Sequence, residues 1–140
     1  MIYTVGPAVH SWAEERSQFH NDNTIKGEDD HRGKYTGNIG EFFFSHILSK
    51  NNIAHLCTGS REYAYDFEVG EQTLDVKIKE RTYSYIDRQE RIALDECHVV
   101  ANQEDFKCQI YVFGSLYAEK DAPAQSVQFV GWIRKSQYWR

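Results

Sequence analysis

The sequence predicts a single α/β or α+β domain, spanning residues 1–140, with a mixed central sheet flanked by helices. The chain has 140 residues, of which 41% are hydrophobic, and that length suits one domain with a sizeable core. Segments with apolar residues at helical spacing come first, and segments with strand-like alternation or short apolar runs follow. Helices followed by strands are typical of a sheet that buries one face against helices.

Two helices are predicted in the first third of the chain, over residues 8–19 and from Thr36 to about residue 50. A polar loop is predicted between them, over residues 21–34. The residues at helical spacing are Val9, Trp12, Ala13 and Arg16 in the first helix, and Ile39, Phe42, Phe43, His46 and Ile47 in the second.

Strands are predicted in the remaining two thirds because short runs there alternate apolar and polar residues or are continuously apolar. A polar loop is predicted over 81–91, and 92–101 fits either a helix or a strand. A short helix ends the chain. The predicted strands are residues 53–58, 63–69, 72–80, 109–117 and 127–133.

Composition excludes several classes of protein. A net charge of −5 is unlike that of proteins that coat nucleic acid by bulk charge, although it leaves room for a local site. No apolar run approaches the ~20 residues that span a bilayer, so no membrane partner is expected. The three cysteines lack zinc-ligand spacing, which favours reduced thiols and a cytoplasmic protein. Nucleotide-binding, serine-hydrolase and zincin motifs are missing from the sequence.

The segment 72–80 predicts a strand with a chemically unusual face. Leu74, Val76 and Ile78 alternate with Asp75, Lys77 and Lys79, so the two sets point to opposite faces. Lys79 is expected to be an ordinary solubilising charge.

A tight hairpin is predicted to join this strand to the preceding one. Gly70–Glu71 suits a two-residue turn with a positive φ at its first central position. Val69 then pairs with Gln72, and Asp66 lies opposite Asp75. Like charges opposite each other are destabilising, so a bound cation is the expected compensation.

Glu41 on the second helix, Asp66 on one strand and Asp75–Val76–Lys77 on the next occur in the order of the PD-(D/E)XK nuclease superfamily. The sequence resembles that superfamily over residues 37–80, with Tyr65–Asp66 where the family has Pro–Asp. The resemblance implies a restriction-endonuclease-like fold and a Mg²⁺ cofactor, for which Mn²⁺ substitutes. It also implies that Asp66, Asp75, the carbonyl of Val76 and Glu41 bind the metal, and that Lys77 acts on the attacking water and the phosphate.

The activity that the resemblance implies is metal-dependent endodeoxyribonuclease activity, of the site-specific, double-strand, homing or restriction type. Cutting both strands with one site per chain implies a homodimer or homotetramer. A small nuclease of this kind fits a phage, a mobile element or a defence system. The alternatives are a Holliday-junction resolvase, a silent nuclease-fold DNA-binding module, another carboxylate-metal enzyme, and a small sheet protein without a site.

The individual site residues also have structural interpretations. Asp66, Asp75 and Lys77 suit the solvated face of an ordinary hairpin with a cross-strand ion pair. Glu41 suits a role at the helix dipole, since a carboxylate in the first turn is stabilising there.

Overall fold

A six-stranded mixed sheet and three helices make up the part of the chain that the computed structural model describes, residues 2–19, 31–58, 65–83, 97–99 and 107–139. The strand order is β1-β6-β5-β4-β3-β2, with β4 and β5 parallel and the other neighbours antiparallel. The mixed α/β class predicted from the sequence is therefore confirmed. The elements are β1 (Ile2–Thr4), α1 (Pro7–Phe19), α2 (His31–Lys50), β2 (Leu56–Cys57), β3 (Phe67–Val69), β4 (Gln72–Arg81), β5 (Ile110–Tyr117), β6 (Ser126–Arg134) and α3 (Lys135–Tyr138).

Helices α1 and α2 cover one face of the sheet, and a smaller cluster covers the other. Val112 on β5 packs with Leu74 and Val76 on the face that α2 covers. Successive strand residues point to opposite faces, so Tyr111 and Phe113 lie on the other face. There they pack with Cys108 and with aromatic residues of the C-terminal segment.

Gly40 brings helix α2 unusually close to strand β4. A Cβ atom placed on Gly40 would lie 2.7 Å from Cδ1 of Ile78 and closer still to its Cγ1. Only a residue without a side chain fits between the helix and the strand at this point. The next residue along α2, Glu41, is thereby held beside the β3–β4 hairpin.

Helix α2 begins at His31, five residues before the predicted start at Thr36. Residues 31–34 are therefore helical, and their assignment to a loop was wrong. Arg32 forms two hydrogen bonds of 2.9 and 2.6 Å to Glu80 and a third of 2.8 Å to the carbonyl of Ala122. His31 contacts Glu14 at 2.9 Å. These partners are distant in sequence, so the local pattern carried no sign of the extra turn.

Several strands of the structure differ from the predicted strands. Strand β1 was not predicted; it is a short edge strand that pairs with β6. Strands β2 and β3 are shorter than predicted, whereas β4, β5 and β6 lie close to their predicted positions. The predicted loop over 81–91 begins too early, because Arg81 is the last residue of β4. Residues 84–91 lie outside the described residues, as does most of 92–101, of which residues 97–99 have no regular structure. No helix within the described ranges is long and apolar enough to cross a membrane.

Candidate active site

The β3–β4 hairpin has the turn and the register that the sequence predicted. Val69 pairs with Gln72 and Phe67 with Leu74, which leaves Gly70 and Glu71 as the two-residue turn. Gly70 has a φ of 59°, in the left-handed region that favours glycine. The short connection fixes which side chains of the two strands face each other.

Asp66 does not pair within the ladder, contrary to the prediction that it lies directly opposite Asp75. Strand β3 begins one residue later, and the backbone N–H of Asp66 donates to the carbonyl of Leu74 at 2.9 Å. Oδ2 of Asp66 instead accepts a hydrogen bond of 2.8 Å from the N–H of Val76. The carboxyl groups of Asp66 and Asp75 are also close enough to share a hydrogen bond when one of them is protonated. The two acids therefore meet through their carboxyl groups.

Asp75 is buried and Lys77 is half-buried, as neighbours on one face of β4. Nζ of Lys77 lies 2.7 Å from Oδ2 of Asp75, and the two side chains are only 18% and 9% exposed. Lys79, two residues further on the same face, is exposed. The Asp75–Lys77 pair therefore differs from the solvated hairpin face that was the structural alternative, because such a face would leave both groups in water.

Glu41 joins the two aspartates from helix α2. It lies ten residues after the first residue of the helix, well beyond the first turn to which helix-dipole stabilisation is confined. The dipole explanation is therefore wrong for Glu41. Its carboxyl group is close enough to that of Asp66 to share a hydrogen bond when one of them is protonated, and its Oε2 lies 3.4 Å from the guanidinium of Arg16 on α1.

Three neighbouring acids shift one another's proton affinity. Burial, followed by the charge of Glu41, raises the pKa of Asp66 to about 7. Burial and the proximity of Asp66 raise the pKa of Asp75 well above its ordinary value. Burial also raises the pKa of Glu41, against the opposing contacts with Asp66 and Arg16. Burial is the largest cause for each of the three acids, so protons stabilise the cluster.

The donor chemistry suits a hard divalent cation, since carboxylate and carbonyl oxygens are the ligands of Mg²⁺. A cation would replace the protons that the acids share. In the described part of the chain, however, no three His, Cys, Asp or Glu side chains are arranged as a ready-made metal site. The carboxyl oxygens are engaged with one another, with the N–H of Val76 and with Lys77. Metal binding would therefore exchange these contacts for coordination.

Val76 was the fourth predicted metal ligand, through its carbonyl. Its N–H points at Asp66, and the N–H and C=O of one strand residue point to the same side of the strand. The Val76 carbonyl therefore faces the edge of β4 at which Asp66 lies.

Three residues that enclose the cluster were not singled out as site residues by the sequence. Arg16 reaches Glu41 from 25 positions earlier. Tyr111 pairs with Asp75 in the β4–β5 ladder and accepts a hydrogen bond of 2.8 Å from Trp139. Cys108 is a buried thiol, and its burial raises its pKa to about 11. No local signal marks these contacts, because each depends on the packing of distant segments.

Comparison of the chain with family models, curated proteins and solved structures gives no match. A functional assignment therefore depends on the residues and the geometry of the site.

Proposed function

We propose that the chain is a metal-dependent endodeoxyribonuclease with a PD-(D/E)XK, restriction-endonuclease-like catalytic core. One observation carries the proposal: Glu41 on α2, Asp66 before β3, and Asp75 and Lys77 on β4 meet in one partly buried cluster. An acidic set beside one lysine suits phosphodiester hydrolysis, in which negative charge increases on a phosphate as water attacks.

Asp66, Asp75 and the Val76 carbonyl would hold Mg²⁺, with Glu41 acting through water or on a second ion. The bound metal supplies Lewis acidity towards the phosphate and lowers the pKa of a coordinated water. Mn²⁺ has the same preference for oxygen ligands and is expected to substitute.

Lys77 contributes the positive charge of the site. Its ammonium group is held 2.7 Å from Asp75 and is largely removed from solvent, where its field is stronger than it would be in water. From this position Lys77 orients the attacking water and offsets charge on the phosphate. Asp75 thus has two roles, as a metal ligand and as the residue that positions Lys77.

Cleavage of both DNA strands requires two sites, so the active form is proposed to be a homodimer or homotetramer. Site-specific cutting of the homing or restriction type is the form of the activity that we propose.

The test is cleavage of supercoiled plasmid and long linear DNA with Mg²⁺ or Mn²⁺. We expect EDTA, Asp75→Ala and Lys77→Ala to abolish cutting, whereas Lys79→Ala, a matched lysine change on the same strand, retains it. Discrete fragments would support site specificity. Absence of cutting by the unaltered chain, or equal cutting by Asp75→Ala, would contradict the proposal.

A catalytically silent DNA-binding module is the second candidate function. It is favoured by the absence, among the described residues, of a ready-made set of metal ligands. DNA binding without metal-dependent cleavage of duplex, branched or single-stranded substrates would support it. Cutting confined to branched DNA would instead indicate a resolvase.

A further inference from the structure

A groove of about 410 Å³ adjoins the carboxylate cluster on the side of Glu41. Helix α1, helix α2 and Cys57 of the edge strand β2 line it. Glu41 belongs to both the groove and the cluster. The groove is thus continuous with the candidate active site. Its other lining residues include Trp12, Arg16, Phe42, Ser45 and His46.

Two aromatic rings form an open surface in this groove. Trp12 on α1 and Phe42 on α2 are each 38% exposed, and their ring centroids lie 5.6 Å apart. The next residue on α2, Phe43, is instead buried in the core. Isolated exposed hydrophobic residues are normal, but these two are in contact and stand beside a site acid.

Arg16 connects the aromatic pair to the cluster. Its guanidinium lies 5.2 Å from the centre of the Trp12 ring and 3.4 Å from Glu41. A stacking surface with a cation beside it matches a nucleotide, in which a flat base is joined to an anionic phosphate. Arginine suits this position because it pairs with phosphate and also stacks on aromatic faces.

We propose that this groove binds an unpaired nucleobase of the DNA strand whose phosphate lies at the carboxylate cluster. The planes of the two rings are inclined by 54°, so the base stacks on one ring and packs its edge against the other. Arg16 contacts the backbone phosphate, and Ser45 and His46 offer hydrogen bonds to the edge of the base. A base within a duplex has both faces covered by its neighbours, so only a single-stranded or extruded base offers a face to the rings. This inference rests on the proposed nuclease function and specifies that the strand being cut presents a base next to the cleaved bond that is single-stranded or extruded from the duplex.

The test is the affinity of the chain for a fluorescently labelled oligothymidylate in EDTA, where no cleavage takes place. Loss of one stacked base is worth ~1–3 kcal/mol, so we expect Trp12→Ala to weaken binding by about fivefold or more, and Phe42→Ala to weaken it as well. Trp12→Phe, which keeps an aromatic face, should retain most of the affinity. Trp132→Ala is the matched control, because Trp132 is 64% exposed and lines a different groove.

Unchanged affinity in Trp12→Ala and Phe42→Ala, or an equal loss in Trp132→Ala, would overturn the inference. Circular dichroism of each variant distinguishes a loss of affinity from unfolding. Trp12→Phe provides a second affinity measurement in a more conservative variant. Failure of the nuclease proposal is seen separately, as absence of metal-dependent plasmid cleavage by the unaltered chain. Plasmid cleavage together with normal oligonucleotide binding by Trp12→Ala would leave the nuclease and remove the base site.

Discussion

Replacing Gly40 with alanine tests whether the close approach of α2 to β4 holds the carboxylate cluster together. The new Cβ would lie 2.7 Å from Cδ1 of Ile78 and closer to Cγ1, so the helix or the Ile78 side chain must move. Overpacking of this kind costs ~1–3 kcal/mol. Alanine returns about 1 kcal/mol through its higher helix propensity. The net expectation is a loss of about 0–2 kcal/mol in the free energy of unfolding.

Gly37→Ala is the matched control on the same helix. A Cβ at Gly37 meets nothing within 4 Å, so only the helix-propensity gain of about 1 kcal/mol applies. The two variants should therefore differ by about 1–3 kcal/mol in urea unfolding, with Gly40→Ala the less stable. Because Glu41 follows Gly40, metal-dependent cleavage should also fall in Gly40→Ala and persist in Gly37→Ala.

A double-mutant cycle tests the mechanism directly. Ile78→Ala removes both the Cγ1 and the Cδ1 atoms that the new methyl group would meet, so it should recover part of the loss in Gly40→Ala while destabilising the unaltered chain. Equal stabilisation by Gly40→Ala and Gly37→Ala, with no coupling between Gly40 and Ile78, would refute the reasoning.

Three further predictions concern charge. Folding raises the pKa of Asp66 from 3.8 to about 7, so the folded chain binds more protons than the unfolded chain between these values. The contribution of Asp66 to stability therefore falls as the pH rises through that window. Asp66→Asn should remove this part of the decrease in unfolding free energy between pH 5 and pH 8, measured by urea unfolding. An unchanged decrease in the variant would count against the prediction. Mg²⁺ should raise the melting temperature of the unaltered chain at pH 8, and should raise it less at pH 5.5 because protons compete for the carboxylates. It should not raise the melting temperature of Asp75→Asn. Equal increases in the unaltered chain and the variant would show that the metal binds elsewhere. Arg32→Met removes the contacts with Glu80 and Ala122, so it should lower the free energy of unfolding by about 1 kcal/mol. It should also speed amide hydrogen exchange in the first turn of α2. Unchanged exchange there would show that the turn is stable without these contacts.

Local patterns in the sequence determined the hairpin and drew attention to Asp66, Asp75 and Lys77, whereas Glu41 was indicated only by the resemblance to a nuclease superfamily. The alternation over 72–80 places Asp75 and Lys77 on one face of β4, and Gly70 provides the backbone conformation that the turn requires. Both signals act over a few residues, through strand geometry and turn sterics, so they can be recognised without the fold. The four side chains that the structure brings together are the four that the sequence had indicated, namely Glu41, Asp66, Asp75 and Lys77.

The tertiary structure decided how those residues are held. The start of α2 at His31 depends on Glu14, Glu80 and Ala122, and the approach of Glu41 depends on the fit of Gly40 against Ile78. The burial that raises the pKa values of the acids, and the Trp12–Phe42 surface beside them, likewise come from the packing of separate elements. These features arise from contacts between residues that are far apart along the chain, and local periodicity carries no information about which distant side chains will meet.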